Sequence, residues 1–583
     1  MKKSGKSKIL GVLALAAIFA CAPACAQTSA PAGQTAAAAP IEDSRAILPQ
    51  LKGLRFIDKP EKLIKTGFET NDVAIDGPHL LFWPGVYQDL QSFIGKPFSR
   101  ATMTKITAVV SKWYQTQHRP FVDVSFPEQD ISNGVVQVVV TESRLGHVRV
   151  QGNNWFSNGL LASQISLQPG DRLDSNVLEA DLSRLNLSPY RQIKAVAEKS
   201  DIEGATDLVL QTDDRIPLHV FTSYANNGVP SLGRSNFSIG IEWANAFWLD
   251  EDLSYQFTTS DDFWQNPLAL QVKPGRATLE ENQLTYTIPL PWHDRMVIFG
   301  NYMQESPRIN QFFTQVGVNW QISYRYVVSL PTTDTFTQEF QFGYDYKDSN
   351  NNLAFGGLSA SRNSNEIDQF PFIYNATLDD SYGRTIFLDE IVMSPGRMMA
   401  GNSDQAFQPN AGGTQTGVPY AHAGYVYADA NVTRVTQLPY NTTWILRINS
   451  QGSTSNLLAS EQLGDGGVES VRGYDERTAS GPVGALVSSE FRSPPVSVID
   501  SLFDTKTNDK FQADIFWDWG YVTQVKYVEG SDNATTLQSA GGGIHYVVDR
   551  FVDLRFEYGW QLRKAPGATN RGGEAYLSAV VGY

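Results

Sequence analysis

Cysteine is nearly absent from this chain of 583 residues, and its two copies, Cys21 and Cys25, both lie near the beginning. Residues 1–8 are rich in lysine and residues 9–20 are apolar, which is typical of a secretory signal peptide. A lipoprotein signal is the alternative, but the residues before each cysteine match a lipobox poorly. Cleavage after Ala26 would remove both cysteines, so we predict an exported protein without disulfides, stabilised by hydrogen bonding and packing.

Positive charge is also scarce, since 46 lysines and arginines stand against 61 acidic residues and the formal net charge is −15. Neutralising phosphates requires a basic surface, so this composition argues against a nucleic-acid binder. Beyond the signal peptide, no segment approaches the ~18 consecutive apolar residues of a transmembrane helix. An inner-membrane protein is therefore excluded.

The patterns of common catalytic sites are missing. The seven histidines are scattered without a compact ligand spacing, and there is neither a phosphate-binding glycine–lysine loop nor a Gly-x-Ser-x-Gly elbow. We therefore expect no enzyme, no metal site and no cofactor. The energy for any transport must then come from a source other than a nucleotide.

Long alternating segments dominate the rest of the chain. Residues 318–330 and 552–563 interleave apolar and polar side chains, and 47 glycines accompany a negative mean hydropathy of −0.26. A soluble sandwich is the alternative, but runs of ~11 to 13 alternating residues are long for globular strands and match a tilted bilayer crossing. We therefore predict a transmembrane antiparallel β-barrel over residues 215–583.

Two blocks before this region share one order of elements, a strand followed by two helices and two strands. In the first block, the helix predicted over residues 100–117 carries one apolar face, which must pack on a sheet. The second block repeats the order although its residues differ. We predict two α+β domains, over residues 67–143 and 144–214.

The segment between signal peptide and first domain is expected to be a linker. The signal peptide is assigned to residues 1–26 and the linker to residues 27–66, which begin with a stretch rich in Ala, Pro, Thr and Gln. A short plug helix could start at Asp43, but Pro49 would stop it.

Two short motifs are the most informative part of the sequence. The first, in a glycine-rich loop between two β-like segments, consists of Val471, Arg472, Gly473 and Tyr474. The second, on one face of a predicted strand, consists of Phe516, Asp518 and Gly520. Together they resemble the motifs of the two-partner secretion transporters, the ShlB/FhaC/HecB family of outer-membrane barrels with periplasmic POTRA domains. The predicted hairpin at residues 126–140 also resembles the family's POTRA hairpin.

The resemblance implies sixteen strands, two POTRA domains in the periplasm, and a location in the outer membrane of a Gram-negative bacterium. It implies that the loop folds back into the barrel, where Arg472 meets Asp518 as a breakable lock. The partners implied are an unfolded secreted protein (TpsA-like), outer-membrane lipid and the barrel-assembly machinery. That machinery would recognise the strand that ends at Tyr583.

The first POTRA domain is expected to capture the secreted protein, although a spacer without binding is the alternative. An exposed sheet edge can add a strand of an unfolded protein, whose side chains enter a groove beside the long helix. The candidate contact residues are Trp113, Tyr114, Phe121, Val122, Val124 and Phe126. We expect about half of these residues to belong to the core instead.

The function predicted from the sequence is secretion of one unfolded exported protein through the barrel, as by the TpsB partner of two-partner secretion. An insertase that assembles other barrels is the alternative within the superfamily, and the count of two POTRA domains disfavours it. A porin-like channel or an enzyme embedded in a barrel would have no use for those domains. A surface adhesin is disfavoured because the alternating strands form the barrel itself.

Overall fold

The computed structural model describes residues 45–583, with gaps at 203, 266–277, 308–312, 334, 356–357, 362–363, 411–414, 416, 504–506 and 531–532. The predicted signal peptide, both cysteines and residues 27–44 of the linker lie outside the described residues. The boundary between two compact units falls between Ile216 and Pro217. Across the described ranges, no helix is both long enough and apolar enough to cross a membrane.

The N-terminal unit begins with a block that we call the first α+β block. Its elements are β1 (Gly53–Ile57), β2 (Val73–Asp76), α1 (Pro84–Gln91), α2 (Arg100–Thr116), β3 (Val122–Ser125) and β4 (Val135–Glu142). The sheet has the order β2-β1-β4-β3, in which β1 runs parallel to both of its neighbours. Helix α2 starts after Ser99, whose hydroxyl accepts a hydrogen bond from the backbone N–H of Thr102. Its buried face, including Ile106 and Val110, packs in one core with Phe56 of the sheet.

The second α+β block follows directly. Its elements are β5 (Arg144–Gln151), α3 (Asn158–Ser163), α4 (Ser175–Leu185), β6 (Arg191–Lys199) and β7 (Ala205–Asp214). The sheet order is β5-β7-β6, with β5 parallel and β6 antiparallel to β7. Leu161, Leu178 and Leu185 of the helices share a core with Ile193 and Leu210 of the sheet. The predicted order of a strand, two helices and two strands is present in the second block, whereas the first block has two strands before its helices.

The start of the first block differs from the prediction. Strand β1 lies within the segment expected to be a linker, and all five of its residues are buried. A strand covered on both faces lacks alternation, so a run of five residues, Gly-Leu-Arg-Phe-Ile, gave no periodic signal. The strand expected to end at Ile75 begins only at Val73. Residues 45–48, the described part of the expected plug helix, are not helical, and Leu48 forms an isolated bridge with Phe98.

The C-terminal unit is a β-barrel. Its strands are β8 (Leu218–Ala225), β9 (Asn236–Ala246), β10 (Glu251–Ser260), β11 (Leu279–Pro289), β12 (Arg295–Glu305), β13 (Phe313–Ser329), β14 (Phe336–Phe355), β15 (Leu358–Ser361), β16 (Ser364–Asp380), β17 (Gly383–Pro395), β18 (Gly424–Gln437), β19 (Thr443–Ser453), β20 (Leu463–Asp465), β21 (Ala479–Gly481), β22 (Val483–Arg492), β23 (Asp509–Thr523), β24 (Ala534–Val548), β25 (Val552–Gln561) and β26 (Gly573–Gly582). Two short helices, α5 (Asp404–Phe407) and α6 (Ile499–Phe503), lie between strands.

Sixteen strands close the barrel within the described residues. They run from β8 to β26 without β20 and β21, which form a separate hairpin, and without the short β15, since β14 pairs directly with β16. Every neighbouring pair is antiparallel, and β26 pairs with β8 to close the ring. The predicted barrel fold with sixteen strands is confirmed.

Strand β23 shows how the two faces of the wall differ. Ile515 and Trp517 point outward, with 66% and 40% of their surfaces exposed, whereas Phe516 and Asp518 between them are 5% and 0% exposed. Side chains alternate across a strand, so the apolar outer face can meet lipid while polar groups face the interior.

The closing pair of strands is short. Strands β26 and β8 pair over five positions, from Ser578 with Ala225 to Gly582 with Phe221. Beyond them, Tyr583 exchanges two backbone hydrogen bonds with Val220, of 2.9 and 3.3 Å. The last residue therefore extends the closure, while its side chain is exposed.

The position of β1 leads to a prediction about fragments. A soluble fragment of residues 45–143 should show the circular dichroism of a folded α+β domain and a cooperative thermal transition. A fragment of residues 67–143 lacks β1, one of the two inner strands of the sheet, so the apolar side chains of β4 and α2 would lose their covering and it should not fold. If both fragments gave the same cooperative transition, β1 would not be an essential part of this core.

Candidate functional site

The candidate site is the loop between β19 and β22, which includes the β20–β21 hairpin. We call residues 463–481 the anchored loop. At its tip, Val471, Arg472 and Tyr474 are all at most 2% exposed. Such burial is unusual for a loop, and it follows from contacts with the inner face of the barrel wall.

Arg472 makes the central contacts of the anchored loop. Its Nε and Nη2 donate to the two carboxylate oxygens of Asp518, at 2.8 and 2.9 Å, and its backbone N–H donates to the same carboxylate at 3.1 Å. Nη1 donates to Glu490 at 2.8 Å and to Glu557 at 2.7 Å. The two-pronged contact with Asp518 uses the planar fork that arginine has and lysine lacks. Three carboxylates from β22, β23 and β25 thus converge on one guanidinium.

The ring of Phe516 completes the pocket. The guanidinium carbon of Arg472 lies 3.4 Å from the ring centroid, which is a close cation–π contact. Nη2 also donates to the hydroxyl of Ser488 at 3.1 Å. Every polar edge of the cation therefore has a partner, as a fully buried charge requires.

Further arginines balance the carboxylates around Arg472. Glu490 also pairs with Arg492 at 2.7 Å and with Arg447 at 3.5 Å, and Glu557 pairs with Arg555 at 2.7 Å. The carboxylates of Glu490, Asp514 and Glu557 lie close enough together to suggest a metal site. Because the surrounding guanidinium groups already neutralise Glu490 and Glu557, we interpret the cluster as an ion-pair network.

Gly473 lets the loop approach the wall. Its φ is +96°, and a Cβ at this position would lie 2.8 Å from the carbonyl oxygen of Gly559. Two glycines face each other here, so any side chain on either would push the loop away. The carbonyl of Gly473 accepts a hydrogen bond from Gln561 at 2.7 Å.

Tyr474 and Tyr576 fix the residues after the arginine. The hydroxyl of Tyr576, on the last strand, accepts from the backbone N–H of Gly473 at 2.9 Å and donates to the carbonyl of Tyr474 at 2.7 Å. The hydroxyl of Tyr474 lies 2.8 and 2.7 Å from the carbonyls of Gln538 and Arg563. Its ring packs in a small buried cluster that includes Val471. The tip thereby contacts β24, β25 and β26 as well as the arginine pocket.

Gly520 leaves room for the base of the loop. A Cβ at Gly520 would lie 2.3 Å from Oδ1 of Asp465 in β20. All seven residues of the two motifs are therefore gathered at one site, on the loop or on the strand it touches.

The anchored loop also contacts the hairpin that joins the first two barrel strands. Arg234, between β8 and β9, pairs with Asp475 of the loop at 2.8 Å and with Glu574 of β26. One arginine thus connects the loop, the first hairpin and the last strand across the closure of the barrel.

The residues of this site that sequence reasoning missed include Glu490, Glu557, Tyr576, Arg234 and Asp475. Glu557 stood on the polar face of the predicted strand at residues 552–563, and Glu490 alternates with outward-facing neighbours in the same way. That signal assigns both side chains to the interior. Their meeting at Arg472 depends on barrel closure, which a linear pattern does not contain.

Two candidates for capture of the secreted protein, Trp113 and Tyr114, lie on α2 and contact the core of the first block. Tyr114 is fully buried, and its hydroxyl donates to Glu142; burial raises the pKa of this hydroxyl above its ordinary value. Trp113 packs on the same core and donates its indole N–H to the carbonyl of Leu80 at 2.8 Å. A direct contact between Tyr114 and a client is therefore wrong for the folded block, because its side chain is not accessible.

The strand candidates are only partly covered. Val122, Val124 and Phe126 pack against the first core and Phe121 against the second, each with some exposed surface. Strand β3 lies at one end of the sheet. Its backbone edge, rather than its side chains, is the part best placed for contact with another chain.

The chain is similar to known secretion and transport proteins. The sequence model of the haemolysin secretion/activation protein family ShlB/FhaC/HecB matches residues 204–546, which is more than half of the chain. The heme/hemopexin transporter protein HuxB of Haemophilus influenzae is 19% identical over 469 residues, which cover 78% of this chain and 76% of that protein. The outer membrane transporter CdiB of Dickeya dadantii is 20% identical, with 78% and 75% covered.

A solved structure shows the same fold. CdiB from Escherichia coli superposes with a TM-score of 0.67 at 15% identity, over 94% of this chain and 93% of that one. The barrel fold and these similarities define a transporter of the outer membrane of a Gram-negative bacterium, with POTRA domains in the periplasm. The chain belongs to the ShlB/FhaC/HecB family, whose members export a secreted partner protein by two-partner secretion.

The geometry around Arg472 yields a prediction. Arg472→Ala leaves three buried carboxylates without their shared cation, a loss of about 3–5 kcal/mol for a buried pair. Cleavage of residues 463–481 by proteinase K in the detergent-purified protein should then be at least about tenfold faster. The cleavage rate of Arg472→Lys should fall between those of the wild type and Arg472→Ala, because lysine cannot make the two-pronged contact.

An exposed arginine provides the control. Arg571→Ala, in the turn before β26, should leave the cleavage rate unchanged. Exchanging the charges with Arg472→Asp and Asp518→Arg should not restore protection, since the new aspartate would face Glu490 and Glu557. Full protection in Arg472→Ala would show that this network does not hold the loop, and full recovery in the exchanged pair would show that Glu490 and Glu557 do not contribute to it.

Proposed function

We propose that this protein captures one exported partner in an unfolded state and passes it through the barrel, with the anchored loop as a releasable obstruction. The observation that carries the proposal is the buried Arg472, which binds three carboxylates on three barrel strands. A loop held this firmly against the inner wall occupies space that a passing chain needs. Transport then requires that these ion pairs break and form again.

Capture is assigned to the POTRA domains. The backbone edge of β3 is at the end of its sheet, and an unfolded chain can add a strand to such an edge through main-chain hydrogen bonds. Main-chain pairing accepts varied sequences but requires an unpaired backbone. A folded protein would therefore not bind, which suits a pore that the partner must cross in an extended form.

We propose that release of the anchored loop, which opens the pore, also changes the contacts where β26 and β8 close the barrel. Arg234 joins Asp475 of the loop to Glu574 of β26, and Tyr576 of the same strand holds the backbone of the tip. Release of the loop would remove contacts from the last strand and from the first hairpin together. The five-position pairing of β26 with β8 would then lose the contacts that the loop adds beside it.

The remaining partners follow from the same proposal. Outer-membrane lipid would surround the apolar outer face, and the barrel-assembly machinery would recognise the last strand, ending at Tyr583. No catalytic step, cofactor or nucleic acid is part of the mechanism. Folding of the partner outside the cell would make its passage directional without a nucleotide.

Secretion can be tested directly in the source bacterium. Deleting this gene should remove one large protein from the culture medium, as measured by mass spectrometry of medium and periplasm, and the wild-type gene should restore it. Arg472→Ala should restore only part of the secretion while its barrel reaches the outer membrane in normal amount. If the medium were unchanged and other barrel proteins were depleted from the membrane instead, the chain would be an insertase.

A further inference from the structure

The two α+β blocks differ at one sheet edge. Strands β1 and β5 occupy equivalent positions in their sheets. In the first block, β1 runs parallel to β4, which pairs antiparallel with β3 on its other side. In the second block, β5 runs parallel to β7, which pairs antiparallel with β6 on its other side. In the first block, β2 covers the outer edge of β1 as a fourth strand. Across the described residues, the second sheet has no fourth strand and β5 is an edge.

The N-terminal end of β5 is covered, but the rest is not. Leu145 exchanges backbone hydrogen bonds of 2.8 Å with Gly170 and Asp171. From Val148 to Gln151, the strand pairs with β7 on one side. Residues 148–151 alternate between half-buried and exposed, whereas every residue of β1 is buried. The open edge is therefore about four residues long, the same length as the pairing of β1 with β2.

A groove lies beside this open edge. It has a volume of about 420 Å³ and is lined by Val148, Arg149, Val150, Gln151, Asn158, Gly159 and Ala162. The side from α3 is formed by small residues, and a Cβ at Gly159 would meet no atom within 4 Å. Val148 and Val150 form its apolar floor and pack on the core of the block. The groove thus offers space above an apolar floor and next to an unpaired backbone.

The first block shows what fills the equivalent position. There, Val73 is buried in the core, Ile75 packs against it, and the hydroxyl of Tyr87 in α1 donates to the carbonyl of Val73 at 3.2 Å. The occupant is a short parallel strand with β-branched side chains at alternate positions. Charge does not select the occupant of the second groove, because Arg149 is already paired with Asp207 at 2.6 Å.

We infer that the edge of β5 and the groove beside α3 form a second capture site, which binds a short extended segment of the unfolded exported protein as a parallel strand. The segment carries small β-branched or apolar side chains at alternate positions, and these enter the groove. The inference rests on the proposed function and places part of the capture in the second block. It needs an unpaired backbone on the client, so a folded protein does not bind.

Gly159 allows the groove to be filled without disturbing the block. Its backbone does not need positive φ and its Cβ position is open, so Gly159→Phe adds a ring that occupies the groove. Gly85 is the matched control: it is likewise the second residue of its helix, α1, and its Cβ position is also open. In that block β2 already covers the edge, so Gly85→Phe blocks no free strand position.

The test uses the full chain in lipid nanodiscs and a labelled unfolded probe. The probe is fluorescein-labelled, reduced and carboxymethylated α-lactalbumin, and native α-lactalbumin is the folded control. By fluorescence anisotropy, Gly159→Phe should weaken probe binding about tenfold, which corresponds to about 1.4 kcal/mol of binding free energy, and Gly85→Phe should leave binding unchanged. Circular dichroism and thermal unfolding confirm that both variants remain folded.

Other outcomes would overturn the inference. Unchanged binding in Gly159→Phe, or equal weakening in both variants, would exclude a capture site at this edge. Binding that appears only after deletion of residues 27–44 would show that the chain's own N-terminal segment is the occupant. Measuring secretion from the source bacterium tests this inference separately from the proposed function. If gene deletion stops secretion while Gly159→Phe binds the probe and secretes normally, the proposed function stands and the second capture site is wrong.

Discussion

The barrel interior depends on the neutralisation of one buried cation. Arg472 is 2% exposed and lies on a loop, so its charge must be balanced where it is, by Asp518, Glu490 and Glu557. Those carboxylates belong to three strands, which must be aligned by the antiparallel ladder before they can meet. The loop in turn contacts the last strand. The position of the loop and the closure of the barrel are therefore parts of one arrangement.

The two units of the protein offer different kinds of interaction, ion pairs in the barrel and backbone edges in the N-terminal unit. Inside the barrel, the charge-assisted hydrogen bonds of Arg472 are strong and directional, which suits the proposed releasable obstruction. In the periplasmic unit, β3 and β5 are sheet edges, and these edges are the groups proposed to bind an extended chain without reading its sequence. A client would meet sequence-tolerant edges first and the specific charged network afterwards. Unfolded proteins would then be selected over folded ones before the pore opens.

The sequence predicted the features that repeat and missed those that depend on closure. Alternation identified the barrel strands and placed Asp518 on the interior face, and helical spacing located α2. The fully buried β1 was missed because a short strand covered on both faces has no period. The same helical spacing put Trp113 and Tyr114 on the apolar face of α2, where Tyr114 is enclosed in the core. Arg234 and Tyr576 reach the loop from the far ends of the barrel sequence, a proximity that no local pattern encodes.

The central claim is that the anchored loop must leave the wall for transport, and a reversible tether tests it most directly. Arg234→Cys with Asp475→Cys places two thiols at the partly exposed pair that joins loop and first hairpin, in a chain whose own cysteines are only Cys21 and Cys25. A cleavable bifunctional methanethiosulfonate would cross-link them on cells, with each single cysteine as control. The account predicts that secretion stops when the loop is cross-linked and resumes after reduction. Undiminished secretion by fully cross-linked protein would contradict it.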